Sequence, residues 1–84
     1  MAGLSMGIVE VDIHGMNRFQ AKNLIAGRLK RAGGDIYRIR VIHGYHNGTS
    51  LKDMVRKEFR GHPKVLRVEV AMNPGETDLV LREF

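Results

Sequence analysis

The sequence predicts a two-layer α/β (α+β) sandwich in which two helices cover one face of a four-stranded mixed sheet. Four segments alternate apolar and polar residues with period two, and two helix-like segments separate the first three of them. The 84 residues, 43% of them hydrophobic, suffice for one core. The order is therefore βαβαββ, with the first two strands parallel and the last two forming an antiparallel hairpin. Polar alternates should occupy the open face: Glu10, Asp12, Arg38, Arg40, Arg67, Glu69 and Arg82.

The first strand is predicted over residues 8–13, where apolar side chains alternate with acidic ones. A helix should follow from Asn17, because Gln20 stands three residues later, as in a capping box. Gly33-Gly34 supplies a left-handed stop. The apolar stripe of this helix consists of Ala21, Leu24, Ile25, Leu29 and Ala32.

A second strand is predicted over residues 37–42, which alternate again. After a loop, Thr49 or Ser50 can cap a second helix. The helix should end at Gly61-His62-Pro63, because proline disfavours the helical conformation of the residue before it, and His62 is expected to be a loop residue. The buried side of this helix should consist of Leu51, Met54, Val55 and Phe59.

The last two strands are predicted over residues 66–72 and 79–84, with residues 73–76 as the turn between them. In the first of these strands, Leu66, Val68, Val70 and Met72 should face the core. Residues 1–7 lack the features of a signal peptide and are expected to be a flexible lead-in to a single domain over 8–84.

Composition narrows the class of partner. The net charge of +5 and the pI near 10 favour polyanions such as nucleic acid. The chain has no cysteine, which excludes disulfides and thiol catalysis, and we expect a cytoplasmic location. No apolar run is long enough for a membrane span, so we expect no membrane partner. We expect a monomer or a weak dimer.

The tripeptide Ile-His-Gly occurs twice, at residues 13–15 and 42–44, each time at the end of a predicted parallel strand. Such strand ends lie together in open α/β sheets, so both imidazoles could share one site. Asp12 could orient the imidazole of His14 or hold a divalent metal such as Mg²⁺ or Mn²⁺. The candidate catalytic residues are Asp12, His14 and His43; each histidine could alternatively be only a polar cap of its strand. A zinc site of His14, His43 and His46 is disfavoured, because no closely spaced ligand pair anchors it.

The loop over residues 44–50 precedes a helix amino terminus, whose amides and dipole attract phosphate. Lys52 and Arg56 stand one turn apart on that helix and add positive charge. Arg38 and Arg40 are candidates for contacts with a nucleic-acid backbone; alternatively they pair with Glu10 and Glu69. The complete set of candidate phosphate contacts is Gly15, Gly44, His46, Asn47, Gly48, Thr49, Lys52, Arg56, Arg38 and Arg40.

Three motifs resemble those of the Smr (small MutS-related) domain. Val-Asp-Ile-His-Gly at residues 11–15 looks like the opening Leu-Asp-Leu-His-Gly of that family. Residues 41–44, with Gly48 and Leu51, resemble its second motif, His-Gly-x-Gly-x-Gly-x-Leu-Arg. Residues 73–81 are similar to its terminal Gly-x-Gly-Ala-Thr-x-Val-x-Leu. The resemblance spans about residues 8–84.

The resemblance implies a fold similar to the C-terminal domain of bacterial translation initiation factor 3, and an endonuclease that nicks DNA or cleaves RNA, in some relatives at ribosomes. Asp12, His14 and Gly15 match the first motif, and His43, Gly44, Gly48 and Leu51 match the second. Lys52 stands where the family often has arginine. The second loop departs from the pattern, because His46 or Asn47 takes one glycine position.

The leading hypothesis is an Smr-like domain that cleaves nucleic acid, with a shared role for His14 and His43. A second hypothesis is a non-catalytic nucleic-acid-binding or ribosome-binding module on the same fold. A third is a protein-interaction domain whose histidines are structural.

Overall fold

The computed structural model describes residues 4–5, 7–44 and 50–83. No helix in these ranges is long and apolar enough to cross a membrane. The elements in chain order are β1 (Leu4–Ser5), β2 (Ile8–Asp12), α1 (Arg18–Arg31), β3 (Arg38–Ile42), α2 (Ser50–Phe59), β4 (Arg67–Val70) and β5 (Glu76–Val80).

The strands form one mixed sheet in the order β1-β2-β3-β5-β4. β2 and β3 are parallel, while β5 runs antiparallel to both β3 and β4, as the predicted order requires. The predicted fold class is therefore confirmed. The short strand β1 pairs antiparallel with β2 at the sheet edge, inside the segment 1–7 for which a flexible lead-in was expected. Sequence patterning does not reveal it, because two residues are too few to show alternation.

The core lies between the helices and one face of the central strands. Val11, Ile39 and Leu79 point from β2, β3 and β5 into this layer and are almost fully buried. The predicted helix stripes are confirmed, since the buried helical residues are Ala21, Ile25, Leu29, Met54, Val55 and Phe59. The other face of the sheet carries the charged residues of the strands, together with a few apolar ones such as Val80.

The amino end of α1 is as predicted and its carboxyl end is different. Asn17 and Gln20 form a complete capping box. The predicted left-handed stop at Gly33-Gly34 is wrong, because positive φ among the described glycines occurs only at positions 7, 15 and 44. Instead Ala32 is extended (φ −66°, ψ 120°), and Lys64 Nζ donates to the oxygens of Leu29 at 2.7 Å and Ala32 at 3.2 Å. A distant lysine thus satisfies the last carbonyls of the helix.

The last two strands differ from their predicted bounds. β5 begins at Glu76 and ends at Val80, so the prediction of 79–84 is shifted towards the carboxyl terminus. The first part of β5 does not look like a buried strand in the sequence, because Thr77 and Asp78 are polar. Both are nevertheless buried, and their side chains are hydrogen-bonded. β4 forms the far edge of the sheet, and the predicted burial is wrong for three of the four apolar residues that were expected to face the core over residues 66–72. The exposed ones are Leu66, Val70 and Met72.

We expect Lys64→Met to lower the free energy of unfolding by about 1–2 kcal/mol, because charged hydrogen bonds to the last carbonyls of α1 are lost. Urea denaturation measures this change. Lys30→Met is the matched control, since it removes the same charge from the same helix end. Equal losses in both variants would show that charge, and not hydrogen bonding, stabilises this terminus.

Candidate active site at the ends of the parallel strands

The two Ile-His-Gly segments lie side by side. β2 and β3 pair in register up to Asp12 opposite Ile42, and the Ile13 amide extends the ladder to the Ile42 oxygen at 2.9 Å. Gly15 (φ +82°) and Gly44 (φ +75°) then turn both chains through a conformation that favours glycine. A Cβ placed on Gly44 would lie 3.6 Å from the Cβ of His14. The two strand ends therefore form one continuous rim.

Asp12 holds the imidazole of His14 at this rim. One carboxylate oxygen of Asp12 accepts from the His14 backbone amide at 3.1 Å and lies 2.5 Å from His14 Nδ1. Both side chains are more than half exposed. The hydrogen bond from the His14 side chain lowers the pKa of the Asp12 carboxyl below its ordinary value, although the slight burial opposes the shift. In the neutral ring, Nδ1 donates to Asp12 and Nε2 is left as the acceptor of this largely exposed side chain.

His43 occupies a different environment. Its side chain is only 5% exposed and lies on the core side with Val41. Nδ1 is 2.7 Å from the Gly44 carbonyl oxygen, which can only accept, so the neutral ring carries its hydrogen on Nδ1. Nε2 then accepts from the Thr77 hydroxyl, 2.9 Å away on β5. Both ring nitrogens of His43 are thus engaged within the protein.

The alternation of β2 and β3 explains this difference. Asp12 belongs to the open face of the sheet, whereas Ile13 and His43 belong to the face that the helices cover. The structure brings the two His-Gly backbones together and gives the two rings separate sets of partners.

A pocket of about 340 Å³, here called the strand-end pocket, opens beside His43. Both helices begin at it: Asn17 caps α1 there, and α2 starts at Ser50. Two helix amino termini and the Arg18 side chain favour an anionic group. The residues that line the pocket are Gly15, Met16, Asn17, Arg18, His43, Ser50 and Leu51.

Several predicted phosphate contacts lie away from this pocket or beyond what the structure describes. His46, Asn47, Gly48 and Thr49 fall outside the described residues. Lys52 and Arg56 are half-buried on α2 and do not line the pocket; Arg56 Nε is buried and has no partner among the described residues. The amide of Gly44 donates to the Gly75 oxygen at 3.0 Å.

Arg38 and Arg40 lie on the open face and are bound to carboxylates. Asp78, almost fully buried, accepts from Arg38 at 2.6 Å and from Arg40 at 3.0 and 3.2 Å. Arg38 also donates to Glu69 at 3.0 Å. The hydrogen bond to Asp78 raises the pKa of Arg40 further above its ordinary value. A phosphate on this face would have to compete with these carboxylates.

Sequence reasoning overlooked Thr77, Asp78 and Arg18. Thr77 fixes the ring of His43, and Asp78 organises the arginines of the open face. Both residues lie inside the third motif, residues 73–81. A predicted strand that began at Glu76 would have placed Thr77 and Asp78 on opposite faces of the sheet. Arg18 directly follows the helix cap Asn17. Its position at a predicted helix amino terminus was the sequence signal that could have indicated an anion-binding role.

Among the described residues, no three His, Cys, Asp or Glu side chains form a group able to hold a metal ion. Asp12 and His14 provide two such side chains, so a metal ion bound there would need further ligands.

Comparison with known proteins gives a family model and a solved structure that this chain matches. The family model of the Smr domain matches residues 11–77. The crystal structure of the Smr domain of Thermus thermophilus MutS2 is similar to the chain with a TM-score of 0.78 and 24% sequence identity. The similarity covers 88% of this chain and 98% of that one, and it shows the fold. No curated protein matches the sequence.

The pKa of Asp12 should rise towards the ordinary carboxyl value in His14→Ala, because the side-chain hydrogen bond that lowers it most is gone while the bond from the backbone amide of residue 14 remains. A folded-state pKa below the unfolded one stabilises the protein above the ordinary carboxyl pKa. That stabilisation is lost as the pH falls through the lowered value. An NMR titration of the Asp12 carboxyl carbon measures both variants, and identical pKa values would show that the pair does not form in solution.

Thr77→Val should lower the free energy of unfolding by about 1–3 kcal/mol, since Nε2 of buried His43 loses its donor. Thr77→Ser keeps the hydroxyl and is the matched control. Long-range ¹H–¹⁵N NMR should show His43 protonated on Nδ1 in the wild type. A ring protonated on Nε2 instead would contradict the hydrogen bonding described above.

Proposed function

Because the chain belongs to the Smr domain family, which is generally associated with nucleic-acid binding and nuclease activity, we propose that it is an endonuclease that cleaves phosphodiester bonds. The observation that carries this proposal is the exposed Asp12–His14 pair at the end of β2. A carboxylate that fixes an imidazole through Nδ1 and leaves Nε2 open to solvent is the arrangement that general-base catalysis needs.

In the proposed reaction, His14 is the catalytic base and Asp12 is a positioning residue. Nε2 of His14 removes a proton from the attacking oxygen, which belongs to water or, in RNA, to the neighbouring 2′-hydroxyl. The new P–O bond forms as the P–O bond to the leaving oxygen breaks, and that oxygen takes up a proton. Asp12 stabilises the imidazolium that forms, since its carboxylate lies against Nδ1.

The strand-end pocket, which is lined by Gly15 but not by His14 or Asp12, would hold a phosphate one residue along the chain from this base. The helix amino termini and Arg18 supply positive potential there, and the turn at Gly15 joins the pocket to His14. His43 would act indirectly: its two hydrogen bonds connect Gly44 on the rim to Thr77 on β5 and so fix the wall of the pocket.

A non-catalytic nucleic-acid-binding or ribosome-binding module is the second candidate function. The observation that favours it is that both ring nitrogens of His43 are hydrogen-bonded within the protein. Of the described histidines at the rim, this leaves only His14 with a ring nitrogen available for proton transfer.

Cleavage of single-stranded RNA and of duplex and branched DNA, with and without Mg²⁺ or Mn²⁺, separates these functions. We expect His14→Ala to lower the cleavage rate by about 10²–10⁴-fold, which is the usual worth of a general base. Asp12→Asn should lose less, because the imidazole remains. His62→Ala, in the turn after α2, is the matched control and should cut like the wild type.

Undiminished cutting by His14→Ala would contradict the catalytic proposal and indicate a contaminating nuclease. Binding that weakens steeply with salt, without products from the wild type, would establish the binding module.

A further inference from the structure

A second groove continues from the strand-end pocket between α1 and α2. Its volume is about 430 Å³, and it shares Arg18 and Ser50 with that pocket. Phe19 and Met54 give it apolar surface, and charged residues of both helices surround them. A ligand held in the strand-end pocket could therefore extend into this groove without leaving the protein surface.

Phe19 is the unusual member of the groove. Its side chain is 76% exposed, whereas Phe59 on the neighbouring helix is almost fully buried in the core. Exposing an aromatic ring forfeits the hydrophobic stabilisation that its burial would give. The capping box fixes the first turn of α1, so the ring is presented by a rigid element. A flat aromatic ring exposed at the border of a pocket offers a face on which a nucleic-acid base can stack.

The charges of the groove favour an anionic ligand. Arg18, Lys22 and Lys57 contribute three cations, and Asp53 and Glu58 contribute two carboxylates. Lys22 Nζ lies 3.0 Å from Glu58 and joins the two helices, so this pair is already matched. The groove thus combines a small positive excess with a flat apolar ring. A nucleotide has the matching features, because it carries one negative phosphate and one flat base.

We propose that this groove binds the unpaired base next to the phosphate in the strand-end pocket, with the base stacked on Phe19. The inference rests on the proposed function, since it takes the phosphate of that substrate as its starting point. Arg18 borders both cavities. In this arrangement it contacts the phosphate in the strand-end pocket, which connects the nucleotide at that pocket to the one whose base lies in the groove. A base inside a continuous duplex is already stacked and paired, so the groove selects single-stranded or locally unpaired nucleic acid.

The chain contains no tryptophan, so Phe19→Trp introduces a single fluorescent reporter at the groove. Its emission is recorded with a short single-stranded oligonucleotide, with the same sequence as a blunt duplex, and with a single strand that carries abasic sites. The reporter is combined with His14→Ala so that the strand stays intact. We expect quenching by the first ligand and far less by the other two, because only the first offers free bases for stacking.

Affinities of Phe19→Ala complete the test. Loss of one base stack should weaken single-strand binding about 5- to 100-fold and leave duplex binding unchanged. Met72→Ala, which trims an exposed apolar residue next to the sheet edge, is the matched control and should bind like the wild type.

The outcomes distinguish a failure of the groove proposal from a failure of the proposed function. If the wild type binds single strands but Phe19→Ala binds them equally well and the tryptophan is not quenched, the groove proposal is overturned and the proposed function stands. Equal weakening for duplex and single strand would also overturn it. If the wild type binds no nucleic acid under any condition, the proposed function fails, and the groove proposal fails with it.

Discussion

The in-register parallel pairing of β2 with β3 is the constraint on which the site depends. It ends both strands at the same height, so that two glycine turns lie side by side and two helices start above them. The buried faces of the strands hold this register, because a slip of β2 by one residue would exchange Val11 for one of its acidic neighbours, Glu10 or Asp12. The hydrophobic core and the position of the candidate chemistry therefore have the same origin.

The same pairing gives the two histidines different tasks. His14 lies one residue beyond Ile13 and reaches solvent with Asp12, whereas His43 points into the helix layer and is held by Gly44 and Thr77. A shared acid–base role, as expected from the repeated tripeptide, would require His43 to give up one of two internal hydrogen bonds. In the proposed function, His14 supplies the proton transfer and His43 shapes the phosphate pocket.

Much of the fold could be predicted because apolar residues mark the buried side of each element. They recur at every second position in the strands and at every third or fourth position in the helices. The parallel strands, both helix stripes and the capping box of Asn17 followed from them. The start of β5 did not, since Thr77 and Asp78 are buried through hydrogen bonds to residues far away in the sequence. The cap from Lys64 and the exposed ring of Phe19 depend equally on tertiary contacts that no local pattern encodes.

In the proposed function, His14 transfers protons at the rim and His43 does not. Rescue by free imidazoles of different basicity distinguishes the two roles, because a base that transfers protons must be basic, whereas one that only fills the space left by His43 needs only to fit. We expect added imidazoles to restore part of the cleavage rate of His14→Ala, more so the more basic they are, and any rescue of His43→Ala to be independent of their basicity. Rescue of His43→Ala that rises with the basicity of the added imidazole, without rescue of His14→Ala, would contradict this assignment.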